Sequence, residues 1–263
     1  MSLFGKEPKY IWGAIRNAQL APIIFPGWKL RFYVTSRSSK SSVADSWLVP
    51  KKVLNKVKQL GAELVSVKTK SIPPFFWRYL VVDDSGVDYF IVRNGDSRLS
   101  ERDAVAVNDW LQRQTPNESL NALHCIRDHP NHANMSIVEG LWGGRRAAMN
   151  SALNKSIVVQ LIEYLKVTKP SESRSDFLRD SIWPIFSSMS YCHDSVSENK
   201  WPGVHAFLSD RLMTEFLGQR FDEHEEAIST TPDRYIPPCN TSQACTSPVP
   251  NHPYATLIPL KNR

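Results

Sequence analysis

Two hydrophobic periods alternate along the first hundred residues. A short apolar stretch over residues 2–4 reads as an opening strand. Apolar positions three to five apart, at Ile15, Leu20 and Ile23/Ile24, then predict a helix over residues 11–25 that turns these side chains inward and stops at Pro26-Gly27. Residues 30–34 form a strand pattern, the serine-rich residues 36–42 a loop, and Val53, Val57 and Leu60 mark a second helix ending at Gly61. A second buried strand covers 62–67, Pro73-Pro74 opens a helix bearing Phe76, Trp77 and Leu80, and residues 87–93 form a third strand, apolar on both faces. Successive βα units of this kind imply an α/β domain around one mainly parallel central sheet, flanked by helices.

The third strand runs into a polar turn, Asn94-Gly95-Asp96. Ser100 then caps a helix with acids in its first turn and apolar residues at Ala104, Val107 and Leu111. Open α/β sheets bind ligands at such strand ends. The second half is less periodic. It offers a strand at 124–126, a polar loop at 127–134, a glycine-rich segment at 140–144, and helices at 157–165 and 177–186. From residue 229 onward the chain is proline-rich and aperiodic, which divides it into a domain of residues 1–228 and a tail of 229–263.

A chain of 263 residues, 41% apolar, can bury a substantial core, which excludes a disordered or fibrous protein. No apolar run approaches the roughly 18 to 20 residues of a membrane span. The first residues lack the layout of a secretory signal, so the expectation is a cytoplasmic protein. The net charge of +6 is spread along the chain rather than massed in an arm, which argues against nucleic acid and suits a phosphate-bearing ligand equally well. The four cysteines have no zinc spacing, and of them Cys239 and Cys245 are close enough in sequence to suggest a bridge.

A carboxylate on a tight turn after a buried strand is well placed to hold Mn²⁺ or Mg²⁺ against a diphosphate, which points to Asp96; Asn-Gly-Asp is equally common turn chemistry. Arg78 and Arg93 are candidates for neutralising the diphosphate or for surface ion pairs. In the loop that follows Arg127, Asp128 or His129 is placed to accept a hydroxyl proton from an acceptor. His129 and His132 also have a spacing that zinc ligands use, without further ligands nearby to complete a site. Trp142, beside Gly143, suits either a sugar face or the core.

The segments Ser2-Leu3-Phe4-Gly5, Pro8-Lys9-Tyr10, Gly13-Ala14-Ile15, Asn17-Ala18 and Pro26-Gly27-Trp28 resemble the start of GT-A glycosyltransferase-like proteins of bacteria, large algal viruses and some eukaryotes. The similarity continues colinearly through Phe76-Trp77-Arg78, residues 87–110, Arg127-Asp128-His129-Pro130 and Gly140-Leu141-Trp142-Gly143. It ends with Ile182-Trp183-Pro184, His193-Asp194-Ser195 and Phe216-Leu217-Gly218-Gln219. It covers about residues 1–225. The resemblance implies a GT-A fold and transfer of a sugar from a nucleotide diphosphate donor, a UDP-sugar, to a hydroxyl acceptor or glycan. Leu3, Phe4, Gly5 and Tyr10 would approach uracil and ribose. Asp96 and His193 would share one metal ion, with the two coordinating atoms a few Å apart. Asn94 stands where the group's Asp-x-Asp motif has its first aspartate, and Arg174-Ser175 where relatives often show Asp-Gln. These departures leave a second reading open, a domain that binds a nucleotide, a glycan or a protein without turnover.

Overall fold

The computed structural model describes residues 1–36, 46–68, 71–113, 121–168, 174–198, 200–211 and 215–228. The proline-rich segment, most of the expected serine-rich loop and the side chain of Arg174 lie outside the described residues.

Helix α1 (Pro8–Ile24) has proline in its first turn and ends ahead of Pro26-Gly27, where Gly27 takes a φ of 84° that only glycine adopts freely. The face it buries is a stripe of small residues, Gly13, Ala14, Asn17, Ala18 and Ala21. The expected inward face is therefore corrected: Ile23 is largely exposed and Ile15 and Leu20 are only partly buried. Close approach decides this. A Cβ on Gly13 would stand 1.9 Å from the carbonyl oxygen of Gly95, so no larger residue lets the helix lie against that turn.

Strands β1 (Arg31–Thr35) and β2 (Glu63–Val67) pair in parallel, joined through helix α2 (Lys51–Gln59). The opening strand adds to the β1 edge: the Leu3 amide donates to the Tyr33 carbonyl and the Tyr33 amide to that of Met1, each at 2.9 Å. A second sheet holds β3 (Tyr89–Arg93), β4 (Leu123–Arg127), β5 (Leu141–Arg145), β6 (Ser190–Asp194) and β7 (Val204–His205) in the order β3-β5-β4-β6-β7. All but β5 point the same way. The expected single sheet is thus two. A 3-10 helix (Pro74–Asp83) packs against both β1 and β3, and a cavity of about 440 Å³ between the sheets is lined by Tyr33 and Glu63 on one side and Phe90 and Ile91 on the other. The whole is one mixed α/β domain, with helix α3 (Glu101–Gln112) following β3. None of the described helices is long and apolar enough to cross a membrane.

The glycine-rich segment, to which the sequence pattern assigns no element, is the antiparallel strand β5, between β3 and β4 in the second sheet. It was missed because Gly143 and Gly144 carry no apolar side chain to show a strand period. Its neighbours fill the space instead: a Cβ on Gly143 would meet the Phe90 carbonyl oxygen at 2.4 Å, and one on Gly144 the Met149 sulfur at 2.2 Å. Trp142 is fully buried against Tyr79 and Phe90. Gly143→Ala must push backbone apart inside the sheet, and we expect a loss of roughly 1–3 kcal/mol in urea unfolding; an unchanged midpoint would show that β5 has slack.

Candidate ligand site at the carboxyl end of strand β3

β3 ends at Arg93, and Asn94-Gly95-Asp96 turns away from the sheet edge, as the sequence leads one to expect. The turn is held from α1. The buried Asn17 amide donates to the carbonyls of Ser97 at 2.8 Å and Gly95 at 3.4 Å, and its Oδ1 accepts from the Leu99 amide at 3.1 Å. Ser100 caps α3 by accepting from the Asp103 amide.

Above the turn lies a cavity of about 230 Å³. Its wall carries Ser2, Phe4 and Tyr10 from the opening of the chain, Phe75 and Arg78 from the 3-10 helix, Asn94, Gly95 and Asp96 from the turn, and Glu139 and Arg220 from further along. The Arg78 amide donates to Ser2 Oγ at 3.0 Å, while its guanidinium donates to Asn94 Oδ1 and pairs with Glu139. Arg220 Nε donates to Asp96 Oδ2 at 2.7 Å. The Asp96 side chain is almost wholly buried (4% exposed), and that of Arg220 is 38% exposed. Asn94 lies so close to Gly140 that a Cβ there would come within 2.4 Å of its Nδ2. Arg220 and Glu139 escaped sequence reasoning. Arg220 directly follows the similar run Phe216-Leu217-Gly218-Gln219, whereas nothing local marks Glu139.

The remaining candidates sit elsewhere. Arg93 grips Asp103 through two hydrogen bonds, at 2.6 and 2.8 Å, and donates to the Val92 and Trp142 carbonyls, so its donors are used inside the fold and not on a diphosphate. Leu3 is a core residue and Gly5 donates to the Trp47 carbonyl; neither lines the cavity. Trp142 and Gly143 are strand core, away from any sugar face.

His193 is fully buried in β6. Nε2 lies 3.3 Å from Asp109 Oδ2 and Nδ1 lies 3.0 Å from His124 Nε2. Both ring nitrogens are engaged with these partners, and the ring does not line the Asp96 cavity. The structure does not bring the two expected metal ligands together. Burial pushes both histidines' pKa down, so both rings are neutral at pH 7. Asp109 then accepts from His193 Nε2–H, which leaves His193 Nδ1 to accept from His124. Burial of Asp109 alone would raise its pKa; bonds from His193 and Tyr191 outweigh that and take it down to about 2.

Asp128 is fully buried and accepts from Arg102 twice, Arg211, Ser195 Oγ and the Leu217 amide, at 2.8 to 3.0 Å. Burial would raise its pKa, but Arg102 and Arg211 hold it below the usual carboxylate value. A carboxylate so saturated is a poor proton acceptor. His129 uses Nδ1 to accept from the Asn131 amide, and its ring packs on Phe216 at 4.3 Å. Neither residue faces the cavity. The loop around them anchors residues 216–221, which carry Arg220 across to Asp96: Ser97 Oγ donates to the Gly218 carbonyl and the Phe221 amide to that of Asp96.

A cation would find Asp96, Glu139 and the Asn94 carbonyl oxygen in the cavity, each already against a guanidinium. Among the described residues no three His, Cys, Asp or Glu side chains gather as a metal group. The donor set as it stands does not fit a divalent ion. Compared with models of known protein families and with curated proteins, the sequence matches none of either.

Asp128→Ala is expected to destabilise the fold by about 3 to 5 kcal/mol, because it strands buried charge on Arg102 and Arg211. A catalytic base would instead lose activity at constant stability. The lowered pKa values of Asp128 and Asp109 imply stability that is complete above the unfolded value near 3.8 and lost as pH falls through the folded values. Urea unfolding between pH 6 and pH 3 should show a steeper loss in wild type than in Asp128→Asn.

Proposed function

We propose that this chain is a GT-A-type, nucleotide-sugar-dependent glycosyltransferase that receives the diphosphate of a UDP-sugar in the cavity at the end of β3 and passes the sugar to a hydroxyl acceptor. The observation that carries the reading is the convergence of two arginines, Asn94 and Asp96 with the aromatic rings of Phe4 and Tyr10 at one strand end. Guanidinium groups bind two phosphate oxygens at once and stabilise the charge that develops on a departing diphosphate. Aromatic rings beside them suit a base or a sugar. The colinear resemblance to GT-A proteins supports the same choice.

A second reading, binding without turnover, is favoured by one observation: Asp128 and His129, the groups foreseen as proton acceptors, are buried and bonded away from the cavity.

Titration with a panel of UDP-sugars and GDP-sugars, followed by chromatography for released nucleotide, separates the two. The transferase reading expects UDP-sugar binding and release of UDP that grows with added acceptor. Arg78→Ala should weaken binding by about tenfold, the cost of a charge-assisted pair. Binding with no release on any acceptor would support the second reading, and no binding at all would sink the transferase reading and the nucleotide-binding form of the second.

A further inference from the structure

We infer that the cavity holds its diphosphate on arginines, with Arg220 as the principal ligand group and no divalent cation, and that Asp96 is the positioning residue for Arg220. This rests on the nucleotide-diphosphate reading above.

Three observations carry it. The first is layering: the Asp96 side chain is 4% exposed against 38% for that of Arg220, so an anion arriving from solvent meets the arginine side chain before the aspartate. The second is the contact itself. Arg220 touches Asp96 through Nε, at 2.7 Å; Asp96 is its one ion-pair partner among the described residues, and the Tyr10 hydroxyl also lies against the guanidinium. A guanidinium has five N–H donors, so the contacts with Asp96 and Tyr10 fix the group's orientation and still leave donors for phosphate oxygens. The third is the absence of room for a cation in the donor set: Asp96 holds Arg220, while Asn94 and Glu139 hold Arg78. A dication on these same oxygens would stand within a few Å of two fixed positive charges.

The role given to Asp96 in Asp-x-Asp proteins is thereby changed. Its buried charge serves an arginine rather than a metal. Neutral Asn94 fits the same arrangement, because it accepts from Arg78 and adds no negative charge against an incoming phosphate.

The test is calorimetric titration of UDP, and separately of inorganic pyrophosphate, into wild type, Arg220→Gln and Asp96→Asn, each in EDTA and in Mn²⁺, with thermal melts to confirm folding. Wild type should bind with affinities that agree within about twofold in the two buffers. Arg220→Gln should weaken binding by about tenfold or more in both. Asp96→Asn keeps an acceptor oxygen for Nε and should weaken it less, with no gain of metal dependence. Binding that appears only with Mn²⁺, and that Arg220→Gln leaves intact or tightens, would overturn the inference while the nucleotide reading stands. Folded proteins that bind neither compound in either buffer would remove both.

Discussion

The geometry of the site depends on one buried side chain, the amide of Asn17. It supplies both of its groups to the 95–99 backbone, donating to two carbonyls and accepting from one amide. These groups lie on the turn that leaves β3, and buried backbone polar atoms left unpaired are costly. Gly13, one helical turn earlier, lets α1 come close enough for the bond to form. The position of Asp96 follows from this contact, and that of Arg220 from Asp96. The string Gly13-Ala14-Ile15-Arg16-Asn17, which on periodicity alone reads as an indifferent stretch of helix, is thus the seat on which the cavity is built.

Around that seat the protein spends its charged residues on scaffolding. Arg93 with Asp103 ties β3 to the helix that follows the turn. Asp128 gathers Arg102, Arg211 and the Leu217 amide, and Arg127 pairs with Asp194 across β4 and β6. Tyr191 and His193 meet at Asp109, and His124 bonds to the other nitrogen of His193. Such buried pairs contribute little net free energy, but removing one member leaves the other as an uncompensated charge. They fix where the 127–134 loop and the 216–221 segment meet. Residues that look catalytic by type are for this reason the ones least able to exchange protons, and the cavity is left with Arg78, Arg220 and the acceptors that orient them.

Where local chemistry was strong, the sequence was a sound guide. The helix start at Ser100 and stop at Pro26-Gly27, the strands β1 and β2, and the polar turn after β3 follow from propensities and periods that act within a few residues. The sequence by itself also determined that Asn94-Gly95-Asp96 would stand at a strand's carboxyl end, because a buried apolar run followed by Asn-Gly has few alternatives. Tertiary structure alone decided the rest. Gly143 and Gly144 form a strand only because Phe90 and Met149 fill the room they leave, and α1 buries its small face because a turn some eighty residues away needs to approach it. The same holds for function. Whether a histidine, an arginine or an aspartate meets a ligand or a neighbour depends on which side chains arrive from distant segments, as Arg220 does at Asp96, and no local pattern encodes that meeting.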